Sequence, residues 1–152
     1  MNDTELRREV EIEFGAIRRT LDEIAALCRD VAGRTPTTRE VAAAGLFLAN
    51  FYNGVENVLK RLWLFHGQPL PTGENWHVEL LRGFCEPARP GLPQLLDAPL
   101  AEALSPYRRF RHVVHHGYGF QLRWEQMRSG MEEATGVFQR FQARVEEALP
   151  QS

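Results

Sequence analysis

Along the first third of the chain, apolar residues recur at steps of three and four: Leu6, Val10, Phe14, Ile17, Leu21, Ile24, Leu27 and Val31. That period lays one stripe along a helix of about 28 residues. Asp3 or Thr4 can cap it, and Gly33 and Pro36 end it. Arg7, Arg8, Arg18 and Arg19 alternate with Glu9, Glu11 and Glu13, the mixed charge of a solvated face. Thr37 followed by Glu40 reads as a capping box, which opens a second helix. Its stripe is Val41, Leu48, Phe51, Val55, Val58, Leu62 and Phe65, and it runs to about His66 before Gly67 and Pro69. Ala42, Ala43, Ala44, Gly45 and Ala49 leave room for a partner helix to approach closely.

Farther on, Glu74 to Phe84 predicts a short helix burying Trp76, Leu80 and Leu81, with His77 as a structural histidine. Pro87, Pro90, Gly91 and Pro93 break regular structure and predict a long surface loop. Helical spacing returns near Asp97 with Leu100, Leu104, Tyr107, Phe110 and Val114 on one face. Ser105–Pro106 inside that pattern predicts a kink, or a new helix capped by Ser105. From about Arg123 a last helix carries Trp124, Met127, Met131, Ala134, Phe138, Phe141, Val145 and Leu149. No internal repeat and no strand-like alternation interrupts this order. The expected fold is all-α: an antiparallel bundle of four long helices plus a short one, in a single domain over residues 1–152.

Composition narrows the function classes. The chain has 152 residues, enough for one core, with ordinary globular fractions of 43% hydrophobic and 25% charged residues. A net charge of −2 argues against a nucleic-acid binder that uses its whole surface, so any RNA contact needs a local patch. Lys60 is the only lysine, so that patch would be made of guanidinium groups. Cys28 and Cys85 lack metal-ligand spacing and read as small buried hydrophobes in a reducing compartment. The N-terminal stretch is acidic and broken by charge, and no apolar run reaches the roughly 18 residues a membrane span needs. A cytoplasmic protein without membrane attachment is expected.

Candidate chemistry concentrates in Arg108 to Phe120, which reads RRFRHVVHHGYGF. Arg111 and His115 are four residues apart and share a helical face, whereas His116 is five on and points to one side. Fraying at Gly117 would let His116 swing toward Arg111. Histidine can move protons near neutral pH, and arginine supplies a permanent forked cation. These are the parts needed to cleave RNA without a metal. A zinc site from the same histidines lacks a cysteine or carboxylate at ligand spacing, and no cofactor is expected. Asn53, Glu56, Asn57 and Lys60 form either a solvated face or, in a sharper reading, a run whose Glu56 points at Arg111 and orients its guanidinium.

Arg111, four residues, His116, one residue and Tyr118 together resemble the RNase motif of HEPN domains. With the trailing tyrosine, the string looks most like the HepT toxins of HepT/MntA toxin–antitoxin pairs. His112 fits the residue that follows the arginine in that motif. The resemblance implies a HEPN-like bundle and a metal-independent endoribonuclease toxin. Its catalytic residues would be Arg111 and His116, with His112 as polar support and His115 as a neighbour. It also implies a homodimer in which two motifs meet, an RNA substrate, and a cognate nucleotidyltransferase antitoxin that transfers AMP to Tyr118.

Arg108, Arg109 and Arg123 are the expected RNA-backbone contacts. With Arg111 and Arg128 they face only Glu125 in sequence, and Tyr118, Phe120 and Trp124 could offer stacking faces. The competing expectation for Trp124 is a core position, and for Tyr118 a ring packed on the last helix. The rival function is a catalytically inactive HEPN binding subunit that partners the nucleotidyltransferase.

Overall fold

A computed structural model describes residues 1–117 and 122–151. All its regular structure is helical: α1 (Asp3–Val31), α2 (Thr38–Phe65), α3 (Trp76–Arg82), α4 (Ala98–His115) and α5 (Trp124–Ala148). The chain thus forms an all-α bundle of four long helices and a short one. All eight apolar residues of the first stripe are buried along α1. Its cap is Asn2 rather than Asp3 or Thr4, because Asn2 and Glu5 satisfy each other's backbone N–H groups in a capping box. Thr37 and Glu40 form the expected box at the start of α2, and Gly67, at φ +75°, follows its end.

Ion pairs report the helix directions. Arg61, late in α2, pairs with Glu9 and Glu13, early in α1, so these helices run antiparallel. Arg7 donates to the Pro150 carbonyl at 2.7 Å, which sets α5 antiparallel to α1. The close approach foreseen for the first half of α2 extends farther along it. A Cβ on Gly45 would collide with the Leu122 side chain, and one on Gly54 with that of Ile17.

One expectation between α3 and α4, and one of the two readings of Ser105–Pro106, need correction. The proline-rich segment is not a loop lying wholly on the surface: Leu92, Leu95 and Leu96 are buried in the core. Backbone N–H groups of Leu95 and Leu96 both donate to the Phe84 carbonyl, and Arg144 donates to the Gln94 and Leu95 carbonyls, so the irregular backbone is satisfied without a periodic ladder. Helix α4 does not restart at Ser105. It is capped by Asp97 and continues through Pro106, while the Ser105 hydroxyl donates to the Ala101 carbonyl. The helix absorbs the missing N–H, because Leu100, Leu104 and Tyr107 anchor both sides of the proline in the core. Among the described residues, no helix is long and apolar enough to cross a membrane.

Candidate functional site

Helix α2 presents Asn53 and Glu56 one turn apart toward α4, and Arg111 reaches back to both. Arg111 Nε lies 2.6 Å from Asn53 Oδ1 and 2.9 Å from Glu56 Oε1. Glu56 is 2% exposed, a depth at which a carboxylate needs a cation or strong donors. Its second oxygen meets His77 Nδ1 at 2.7 Å, and His77 Nε2 in turn meets Arg111 Nη1 at 3.1 Å. Carboxylate, imidazole and guanidinium therefore close a ring of contacts drawn from three helices. Burial pushes the Glu56 carboxyl up to about 7, against the pull of Arg111. Burial and then Arg111 hold His77 down to about 4. Tyr52 is fully buried one turn before Glu56, and its hydroxyl has no hydrogen-bond partner among the described residues.

Trp76 roofs this ring. Its indole lies against His77 with ring centroids 3.3 Å apart, Lys60 Nζ sits 4.4 Å from its centroid, and the Arg111 guanidinium carbon sits 5.7 Å away. Trp76 is only partly buried, contrary to the core position expected for it, because the cations at its face keep that side of α3 near solvent. His77, expected as a structural histidine, stands in contact with both Glu56 and Arg111. Nothing in sequence spacing pointed to either residue, since 34 positions separate His77 from Arg111.

The other half of the motif lies at the end of α4. His116 is the C-cap residue, and Gly117 follows at φ +72°, a left-handed turn suited to glycine. His116 does not swing toward Arg111. Its Nδ1–H donates to the His112 carbonyl at 2.8 Å, and its ring stacks on the His112 ring at 4.0 Å. Helix α4 stays regular through His115, so the side direction set by five positions persists. His115 is exposed, and its pKa is lowered by desolvation and then by Arg111. Tyr118 and Phe120 lie outside the described residues.

Comparison with protein families matches residues 43–150, from early α2 to the end of α5, to the model for HepT-like proteins. The chain belongs to the HepT-like family. No curated protein matches it, and no solved structure does. The match encloses Asn53, Glu56, His77, Arg111 and His116, whereas α1 precedes it.

In this HepT-like chain the arginines do not form one patch. Arg111 is taken by Glu56, and Arg128 pairs with Glu132 at 3.1 Å. Arg108 lies on the inner side, close enough to act on the charges of Glu56 and His77. Arg109 and Arg123 line a separate groove of about 500 Å³ between α4 and α5, floored by Phe110, Leu122 and Met127. Trp124 is partly buried against the core and borders a groove with Cys28 and Arg34; among the described residues, Trp76 offers an aromatic face to the Arg111 guanidinium. Among the described residues, no three His, Cys, Asp or Glu side chains are grouped to hold a metal ion.

Proposed function

We propose that this HepT-like protein is an endoribonuclease toxin that cleaves RNA without a metal and is neutralised by a nucleotidyltransferase antitoxin. The observation that carries the reading is the fixed guanidinium. Asn53, Glu56 and His77 take the Nε and Nη1 side of Arg111, and no described residue takes Nη2. A planar cation pinned along one side offers its remaining N–H groups to a phosphate without first losing rotamer freedom. In the proposed reaction the RNA 2′-oxygen attacks the adjacent phosphorus and the 5′-oxygen leaves. A base takes the 2′-hydroxyl proton and an acid returns a proton to the 5′-oxygen, which leaves a 2′,3′-cyclic phosphate and a 5′-hydroxyl.

Arg111 stabilises the charge gathering on the phosphoryl oxygens, and His116 carries a proton transfer with His112 as its support. Within one chain His116 contacts His112, and a homodimer would bring a partner's histidine to each Arg111. Arg108, Arg109 and Arg123 hold flanking phosphates. The antitoxin blocks the site by transferring AMP from a nucleoside triphosphate to the Tyr118 hydroxyl, releasing pyrophosphate. The added charge and bulk then compete with substrate for Arg111. This action takes place in the cytoplasm.

Purified protein incubated with single-stranded RNA and a chelator tests the activity. Cleavage to cyclic-phosphate ends, abolished by Arg111→Ala and by His116→Ala in folded protein, is expected. Failure to cut any RNA would overturn the reading. That failure would favour an inactive subunit that binds the nucleotidyltransferase, the reading favoured by the contact of His116 with His112 instead of Arg111. Intact-mass measurement after co-expression tests the antitoxin step. Wild type should gain nucleotide and Tyr118→Phe should not, and equal gain by both would refute it.

A further inference from the structure

The ring of contacts around Arg111 contains a histidine outside the Arg111/His116 motif, and its protonation state follows from donor chemistry alone. Arginine nitrogens only donate, so Arg111 Nη1, 3.1 Å from His77 Nε2, requires a lone pair on Nε2. The ring proton of neutral His77 then sits on Nδ1, which faces Glu56 Oε2 at 2.7 Å. Glu56 Oε2 thus accepts from His77 Nδ1–H, while the single Nε–H of Arg111 donates to Asn53 Oδ1 and its positive charge lies 2.9 Å from Glu56 Oε1. We propose that His77 is a positioning residue of the site: as the Nδ1–H tautomer it locks the plane of the Arg111 guanidinium, so that the edge carrying Nη2 is aimed at the scissile phosphate. This rests on the reading of the site as an RNA-cleaving one.

Geometry gives His77 a task that Glu56 and Asn53 cannot perform. Those two acceptors both meet Nε, so alone they leave the guanidinium free to tilt about that point. A contact at Nη1 adds a second fixed point and removes the tilt. Helix α3 is held for this purpose: Leu80 and Leu81 are buried beneath it, and Trp76 lies against the imidazole.

Around His77, Glu56 and Lys60 face it from α2, and Arg108, Arg111, His112 and His115 face it from α4. Cations outnumber the one carboxylate, which favours the neutral ring that accepts from Arg111. Protonating His77 removes that acceptor and sets a second cation beside the first, which frees the Arg111 guanidinium to tilt about Nε.

The test combines histidine NMR with cleavage kinetics on wild type, His77→Gln and His77→Ala. Long-range nitrogen–proton spectra of wild type should show His77 as the Nδ1–H tautomer at neutral pH. Metal-free cleavage of single-stranded RNA by His77→Ala should lose about 10- to 100-fold in kcat with KM little changed, the signature of lost orientation. His77→Gln, whose amide oxygen can accept from Arg111, should recover most of that loss. An Nε2–H tautomer overturns the proposal. So does a lower Tm of His77→Ala with unchanged kcat, or a His77→Gln variant as slow as His77→Ala. The correct tautomer in a protein that cuts no RNA would instead remove the reading on which the proposal rests, whereas a wrong tautomer in an active enzyme would remove the proposal alone.

Discussion

Two parts of one helix, less than two turns apart, live in opposite environments. Arg111 faces inward, held by a carboxylate that is 2% exposed, an amide and an imidazole. His112 and His116 lie at the open end of α4, exposed and stacked on each other. The stretch from Arg111 to His116 therefore has a half tied into the core and a half at the surface. The cation is fixed when the bundle folds, because leaving Glu56 unpaired in the core would be costly. His112 and His116 lie at the surface, where a change does not strand a buried charge.

The largest effect that would break this contrast is the loss of Arg111. Arg111→Ala should cost about 3 kcal/mol in chemical unfolding above pH 7, because it strands a buried carboxylate. The loss should shrink as pH falls. Glu56 has a raised folded-state pKa, so the stability linked to its proton is fully present below the ordinary glutamate range and disappears as pH rises through the folded value. Removing Arg111 raises that value further. Equal destabilisation at acid and alkaline pH would contradict the assignment.

A smaller effect sharpens the contrast by separating two opposed titrations. Burial raises Glu56 to about 7 and lowers His77 to about 4, so in wild type their contributions to pH-dependent stability offset each other. His77→Gln leaves the raised Glu56, and its Tm should fall as pH climbs toward 7. Glu56→Gln leaves the lowered His77, whose contribution is present above its ordinary value and lost as pH falls through about 4, so the slope should reverse. Melting curves across that range read the sign directly, and slopes of the same sign would refute the pairing.

His116→Ala should shift stability by no more than about 0.5 kcal/mol, as expected for an exposed side chain, while abolishing any RNA cleavage. A large fall in Tm would show that the exposed half also holds the fold. At the small end, Tyr52→Phe removes a buried hydroxyl that has no partner among the described residues, and should leave stability unchanged or raise it by up to about 1 kcal/mol. Clear destabilisation would mean that the hydroxyl has a role in the Glu56 neighbourhood.

Much of this arrangement was legible in the sequence. The α1 stripe, both α2 boundaries and the Thr37/Glu40 box follow from periodicity and capping, which act over a few residues. The contact of Glu56 with Arg111 was legible only as one of two readings of the run Asn53, Glu56, Asn57 and Lys60, because spacing does not separate a solvated face from one aimed at Arg111. His77 was not. A lone histidine on a short helix carries no spacing signal, and only tertiary packing brings it to Arg111. The buried leucines at Leu92, Leu95 and Leu96 escaped for a related reason: irregular backbone has no period to betray which side faces inward. The direction of His116 depended on where α4 ends and on a ring stack with His112, neither of which spacing fixes.

The claim that the Arg111 cation is locked by a buried carboxylate while the histidines stay open is tested most directly by nitrogen relaxation at Arg111 Nε. An order parameter close to that of rigid backbone, about 0.8 or above, is expected in wild type and in His116→Ala, falling below about 0.6 in Glu56→Ala, which removes the acceptor altogether. A mobile guanidinium in wild type, or one equally rigid in Glu56→Ala, would contradict the lock.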